Sequence, residues 1–308
     1  MATRELLKGI VSDDSRNREF LDDMTPEQWY QGVKRALDLL AEPPCATSKA
    51  ILDAIAASGK RVSIIPSAKR AVAVGTSKEF GNAGALPTDS RAAAAPGRPT
   101  EDDPPLTGVG GGSDSVLEFV AQDWEDAGSG ASFKAVDEVL LHELVHSLRQ
   151  MQGQEDNTEL VAPWAGGRVG SASTVTLMTG GGPPPTALTQ VYQNLEEFAA
   201  ILITNIYRAE NVRVGLVRDH LGPRPRRGEP AGTKDRPFRD PREETRALGY
   251  PLTNPRNFLT MWRPQITRLF DELSVNATIQ KIQGVRCGFN PFFELLLERT
   301  KPVSAWAH

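Results

Sequence analysis

Two of the four histidines in this 308-residue chain stand four positions apart, in His142-Glu143-Leu144-Val145-His146. No other feature constrains the fold as tightly. At 100° per residue, four helical steps set the second imidazole one turn along and only about 40° off line, so both rings can reach one ion. Glu143 projects from the same side, close enough to hold a water beside that ion. The H-E-x-x-H pattern carries this chemistry only on a helix, and the flanking residues predict one. Val136, Leu140, Leu141, Leu144, Leu148 and Met151 fill one arc of the wheel, with His142, Glu143 and His146 on the adjacent arc. The helix is expected from near Ala135 to Met151, closed by Gly153.

Elsewhere the pattern is coarser. Residues 1–60 read as a helical segment, in which Thr25-Pro26-Glu27-Gln28 resembles a capping box opening a helix through Trp29, Val33, Leu37 and Leu40. A second helix is expected from Ser48 to Ala57. Strands are expected over Arg61 to Ile65, Arg70 to Val74 and Ser115 to Val120. Residues 81–112, rich in Ala, Pro, Gly and Asp, read as loop. Gly108 to Gly112 lacks the Gly-Lys-Ser/Thr ending of a phosphate loop. Residues 152–188 form a long Gly-, Pro- and Ser-rich connection, and a helix resumes from Gln190 to Glu210. After a Pro- and Arg-rich stretch over 222–255, helical periodicity returns in Phe258 to Leu273 and Phe292 to Arg299.

Catalytic zinc takes three protein ligands and keeps one position open. A third histidine three residues past a glycine is excluded, because Arg149 and Gln152 stand where that Gly and His would be. His220 and the terminal His308 are the other histidines, so a carboxylate is the better third ligand. On the helix after the long connection, Val191, Leu195, Phe198, Leu202 and Ile206 form a stripe of buried spacing. Glu196 falls at its edge, beside Ala199 and Ile203, and is the expected ligand. Glu197, one 100° step away, is the alternative.

These residues carry a family resemblance. An H-E-x-x-H helix followed by a helix bearing E-x-F-A, here Glu196-Glu197-Phe198-Ala199, resembles the gluzincin metallopeptidases. The opening Glu of that pattern is the family's third ligand, which implies Glu196. With Gly112-Ser113-Asp114-Ser115 before a strand, the stretch over 110–210 looks like short bacterial effector and toxin zinc proteases. Ala200 departs from the acidic residue many gluzincins carry, so an outer carboxylate would come from elsewhere, such as Glu197. The resemblance implies an α+β, zincin-like fold. A small mixed sheet would pack on the H-E-x-x-H helix (61–153), and a mainly helical part (190–308) would bear the third ligand. It implies Zn²⁺ as cofactor, Glu143 as the catalytic base, and a protein or peptide as substrate. A secretion apparatus or an immunity protein is the partner such an effector or toxin would have.

Composition narrows the alternatives. A net charge of −4 and a pI near 5.7 argue against nucleic acid as partner. No apolar run approaches the roughly 20 residues that span a bilayer, and the N-terminus lacks the layout of a signal peptide. The expected location is therefore cytoplasmic in the producer, or outside it by a signal-independent route. Cys45 and Cys287 are too few for a Cys-based zinc site and read as buried thiols. His220 and Tyr192 are candidate oxyanion donors set against plain packing roles. Tyr207, Trp124, Trp164 and Trp262 read as core or pocket walls. The excess of Arg and Lys over 213–246 reads as a solvated loop, or as a dock for an acidic substrate stretch. Two further readings stay open: a hydrolase of cell-wall peptide crosslinks, and a zincin-shaped binding module that cuts nothing.

Overall fold

The computed structural model describes residues 3–17, 21, 24–42, 45–67, 70–72, 79–81, 83–100, 106–125, 135–158, 160, 194–213, 216 and 254–300. The chain opens with two strands, β1 (Arg4–Leu7) and β2 (Ile10–Ser12), in a stretch that reads as helical from sequence. Both are short, and each carries too few alternating residues to stand out from the helices that follow. The capping box forms. Thr25 Oγ1 accepts from the backbone N–H of Gln28, whose Oε1 accepts from that of Thr25, and α1 runs over Pro26–Ala41. Helix α2 (Ala46–Ala57) leads into β3 (Val62–Ile65). A small antiparallel pair, β4 (Arg70–Val72) with β5 (Glu79–Gly81), forms its own sheet.

Strand β6 (Gly84–Pro87) and the short helix α3 (Ser90–Ala93) lie within the stretch expected as loop. Gly and Pro at the two ends of β6 mask it in the sequence, and such residues are tolerated because β6 is an edge strand. Strand β7 (Ser115–Glu118) precedes a short helix, α4 (Ala121–Glu125). The main sheet has the order β1-β2-β3-β7-β6. The β2–β3 and β3–β7 pairs are parallel, while the β1–β2 and β6–β7 pairs are antiparallel. Ser115 and Leu117 of β7 point into the core and Val116 and Glu118 away from it, the alternation a half-covered strand requires.

Helix α5 (Val136–Met151) carries the H-E-x-x-H motif and packs on β6 and β7. Polar contacts fix its rotation. Ser115 on β7 bonds both Ser147 Oγ (3.0 Å) and Gln150 Oε1 (2.8 Å), and Gln150 donates to the Ala85 carbonyl of β6 (3.1 Å). Its far end is held by Gly112, at φ +73°, where a Cβ would stand 2.0 Å from the Met151 carbonyl oxygen. Helices α1, α2 and α6 (Leu195–Glu210) also pack against α5. From Asp137 to Met151 every residue of α5 is buried.

The C-terminal part is helical: α7 (Pro255–Met261), α8 (Arg263–Ser274), a 3₁₀ turn over Ile279–Gly284 and α9 (Pro291–Thr300). The single helix expected over 258–273 is broken at Trp262, because Pro264 removes a backbone N–H and restricts the residue before it. Trp262 becomes core, with its ring 5.2 Å from that of Phe198 on α6. The whole is α+β: a five-stranded mixed sheet against α5, then a mainly helical C-terminal part. No helix among the described residues is long and apolar enough to cross a membrane.

Candidate metal centre

His142 and His146 project from the middle of α5, and both are buried. Their rings meet edge-on at 80° with centroids 4.7 Å apart, and the two Nε2 atoms face one another at 3.0 Å. Glu197, in the first turn of α6, closes the third side. Its Oε2 lies 3.4 Å from His142 Nε2 and its Oε1 3.6 Å from His146 Nε2. Among the described residues these three form the group of His, Cys, Asp or Glu side chains that could hold a metal ion. Four-coordinate zinc with bonds of about 2.0–2.1 Å sets neighbouring ligand atoms about 3.3–3.4 Å apart. The three observed separations bracket that edge length, so the residues fit the group.

Glu196, the expected third ligand, lies on the other side of His146. Its Oε1 is 3.1 Å from His146 Nδ1, the nitrogen facing away from His142. Its Oε2 accepts from Arg149 Nε at 2.7 Å and from the Asp156 backbone N–H at 3.2 Å. Both carboxylate oxygens are thus engaged. The geometry exchanges the positions anticipated for the two glutamates: Glu197 faces the imidazole Nε2 atoms, and Glu196 lies against His146 Nδ1. The apolar stripe could not discriminate between them, because α6 is buried on nearly every face from Leu195 to Arg208. An Arg three residues past the H-E-x-x-H motif was the available signal for an acidic outer partner. Glu143 follows His142 on α5 and is buried beside the pair, where its charge acts on both imidazoles.

The electrostatics of the two histidines differ. Burial holds His142 below the ordinary imidazole range, with Glu197 and Glu143 opposing and the His146 charge reinforcing the effect. Burial also disfavours charge on His146, but Glu197, Glu196 and Glu143 outweigh it and push its imidazole up to about 10. Burial likewise works against the Glu196 carboxylate, and Arg149 with His146 overcomes it, holding the group below the usual carboxylate range. Without metal, the carboxylates therefore hold a proton on His146 where an ion would otherwise sit.

A separate ionic cluster anchors the other end of the α5–α6 pair. Asp137 and Glu138, in the first turn of α5, face Arg208 and Arg213, and Tyr207 donates to Asp137 at 2.5 Å. Tyr207, expected as packing, is both core and hydrogen-bonded. Cys45 is buried and Cys287 half-buried, and both are free. Tyr192, Trp164, His220, His308 and most of the Arg-rich stretch lie outside the described residues, as does nearly all of the 152–188 connection. Fold and site together define an α+β protein with a buried His-His-Glu candidate metal centre. No family model, no curated protein and no solved structure matches the chain.

Proposed function

We propose that the chain is a zinc-dependent peptidase, with metal on His142, His146 and Glu197 and with Glu143 as general base. The observation that carries this reading is the triangle of 3.0, 3.4 and 3.6 Å between His142 Nε2, His146 Nε2 and the Glu197 carboxylate, built on an H-E-x-x-H helix. Two neutral imidazoles and a carboxylate are a donor set that suits catalytic zinc, which keeps a fourth position for water or substrate. Zinc held there would supply Lewis acidity toward the substrate carbonyl and lower the pKa of a water to about 7. His146 then carries its remaining proton on Nδ1 and donates it to Glu196, which fixes the tautomer that leaves Nε2 free for the ion. Glu143 takes a proton from the attacking water and passes it to the leaving amine. The buried walls of α5 and α6 exclude bulk water from the two imidazoles. The substrate we propose is a protein, reached after export as in the effector and toxin proteases that residues 110–210 resemble, with a secretion apparatus and an immunity protein as partners.

Metal analysis after zinc dialysis should return about one zinc per chain, lost in the His142→Ala/His146→Ala double variant. Glu143→Gln keeps a hydrogen-bonding oxygen but no base. It should retain zinc while cleavage of an unfolded test protein falls roughly 10²–10⁴-fold. Wild-type protein that carries no zinc would refute the site; zinc-loaded Glu143→Gln with full peptidase activity would refute the mechanism.

A further inference from the structure

Glu196 and Glu197 are adjacent, chemically identical and in one helical turn, so something outside α6 must decide which of them faces the ion. Arg149 lies three residues beyond His146 on α5, with its side chain 5% exposed. Its guanidinium spends its donors in three directions: Nε to Glu196 Oε2 (2.7 Å), NH1 to Glu272 Oε2 (3.0 Å) and NH2 to the Gln154 carbonyl (2.7 Å). Turning Glu196 toward the ion would break a buried, charge-assisted bond and leave the guanidinium short of a partner.

The arrangement closes on itself. Glu272 on α8 also accepts from Arg268 Nε at 2.9 Å, and Arg268 pairs with Asp156. Asp156 returns to Glu196 through its backbone, donating its N–H to Oε2 (3.2 Å) and accepting the Glu196 N–H at 3.0 Å. Arg98 adds a further cation on Asp156, 3.3 Å away. Charges thus alternate from Glu196 through Arg149, Glu272 and Arg268 to Asp156, whose backbone closes the circuit on Glu196.

We propose that Arg149 is a positioning residue of the metal centre: it holds Glu196 against His146, leaves Glu197 as the carboxylate for the ion, and fastens this choice to the C-terminal helix α8. The proposal rests on the metal site of the preceding subsection. Lys could not replace Arg149, since one ammonium cannot serve the two carboxylates and the carbonyl in their fixed directions.

The test uses the full chain loaded with Zn²⁺ for affinity and with Co²⁺ for its visible absorption, which reports ligand geometry. Arg149→Met should bind zinc about 10- to 100-fold more weakly, the loss typical of an outer partner, with a changed Co²⁺ spectrum. Because both residues act along one path, Arg149→Met/Glu196→Gln should lose little more than either single variant. A folded Arg149→Met protein with wild-type zinc affinity and Co²⁺ spectrum overturns the proposal, even if its melting temperature falls. Should Arg149→Met fail to fold, Arg149→Lys decides: weakened affinity and an altered spectrum support the role, and wild-type values overturn it. Wild-type protein that binds neither ion overturns the metal site itself, an outcome read before any variant is made.

Discussion

Replacing each glutamate of the Glu196-Glu197 pair by Gln separates ligand from outer partner, because the amide is nearly isosteric and alters only charge and hydrogen bonding. In Glu196→Gln the amide must keep its oxygen toward Arg149 Nε, which donates at 2.7 Å, and toward the Asp156 N–H. Its NH₂ group then occupies the position of Oε1, 3.1 Å from His146 Nδ1. With metal on Nε2, Nδ1 carries the proton, so two donors face each other. Leaving a buried donor unsatisfied costs about 1–3 kcal/mol, which corresponds to roughly 5- to 150-fold weaker metal binding and overlaps the 10- to 100-fold typical of outer partners. Glu197→Gln instead removes the anionic ligand and leaves two imidazoles, so its loss should exceed that range. Zinc competition against a chromogenic chelator measures both variants, with thermal melting of the metal-free proteins as the control for folding. If Glu196→Gln weakened zinc more than Glu197→Gln did, the assignment of roles read from the two faces of His146 would be refuted.

Since the carboxylates hold His146 protonated up to about pH 10 in the metal-free protein, metal must displace that proton. Zinc affinity should therefore rise with pH, by on the order of tenfold per unit between pH 7 and 9, with about one proton released per ion. Calorimetry in buffers of different ionisation enthalpy counts the proton, and pH-independent binding with none released would contradict the reading. In the metal-free protein the sign is opposite: stability contributed by His146 is fully present below its unfolded value near 6.5 and is lost as pH rises through about 10. Gly112→Ala combines an unfavourable positive φ with a Cβ 2.0 Å from the Met151 carbonyl, and should destabilise the fold by about 1–3 kcal/mol in a urea titration. An unchanged midpoint would show that this tether does not hold the end of α5.

The helices were the most legible part of the fold, and for local reasons. Thr25, Pro26 and Gln28 supply a complete cap within four residues, and Gly153 takes the positive φ that closes α5. Strands β1, β2 and β6 were not legible, because their evidence is non-local. β6 exists by pairing Gly84–Pro87 with Ser115–Glu118 across some thirty residues, and β2 by lying beside Val62–Ile64. Neither stretch is long enough for its own alternation to announce a strand, and Gly and Pro in β6 argue against one unless its edge position is already known.

The limit at the candidate metal centre has a different origin. His142, Glu143 and His146 belong to one helix, so sequence spacing fixes their relative directions before any tertiary contact forms. The third carboxylate arrives from another helix, and its register depends on how α6 is rotated against α5. A hydrophobic stripe reports rotation only when the opposite face meets water, and α6 has almost no such face: Thr204, Asn205 and Arg208 are as buried as Phe198 and Leu202. What distinguishes Glu196 from Glu197 is then electrostatic. One has a buried guanidinium within reach and the other has two imidazole nitrogens. Arg149 stood in plain view beside the motif, but its partners come from α6, α8 and the turn after α5, elements joined only in three dimensions. An unusual cation next to an H-E-x-x-H helix is therefore best read as evidence about which nearby acid is already taken, and only then as evidence about which acid remains for the metal.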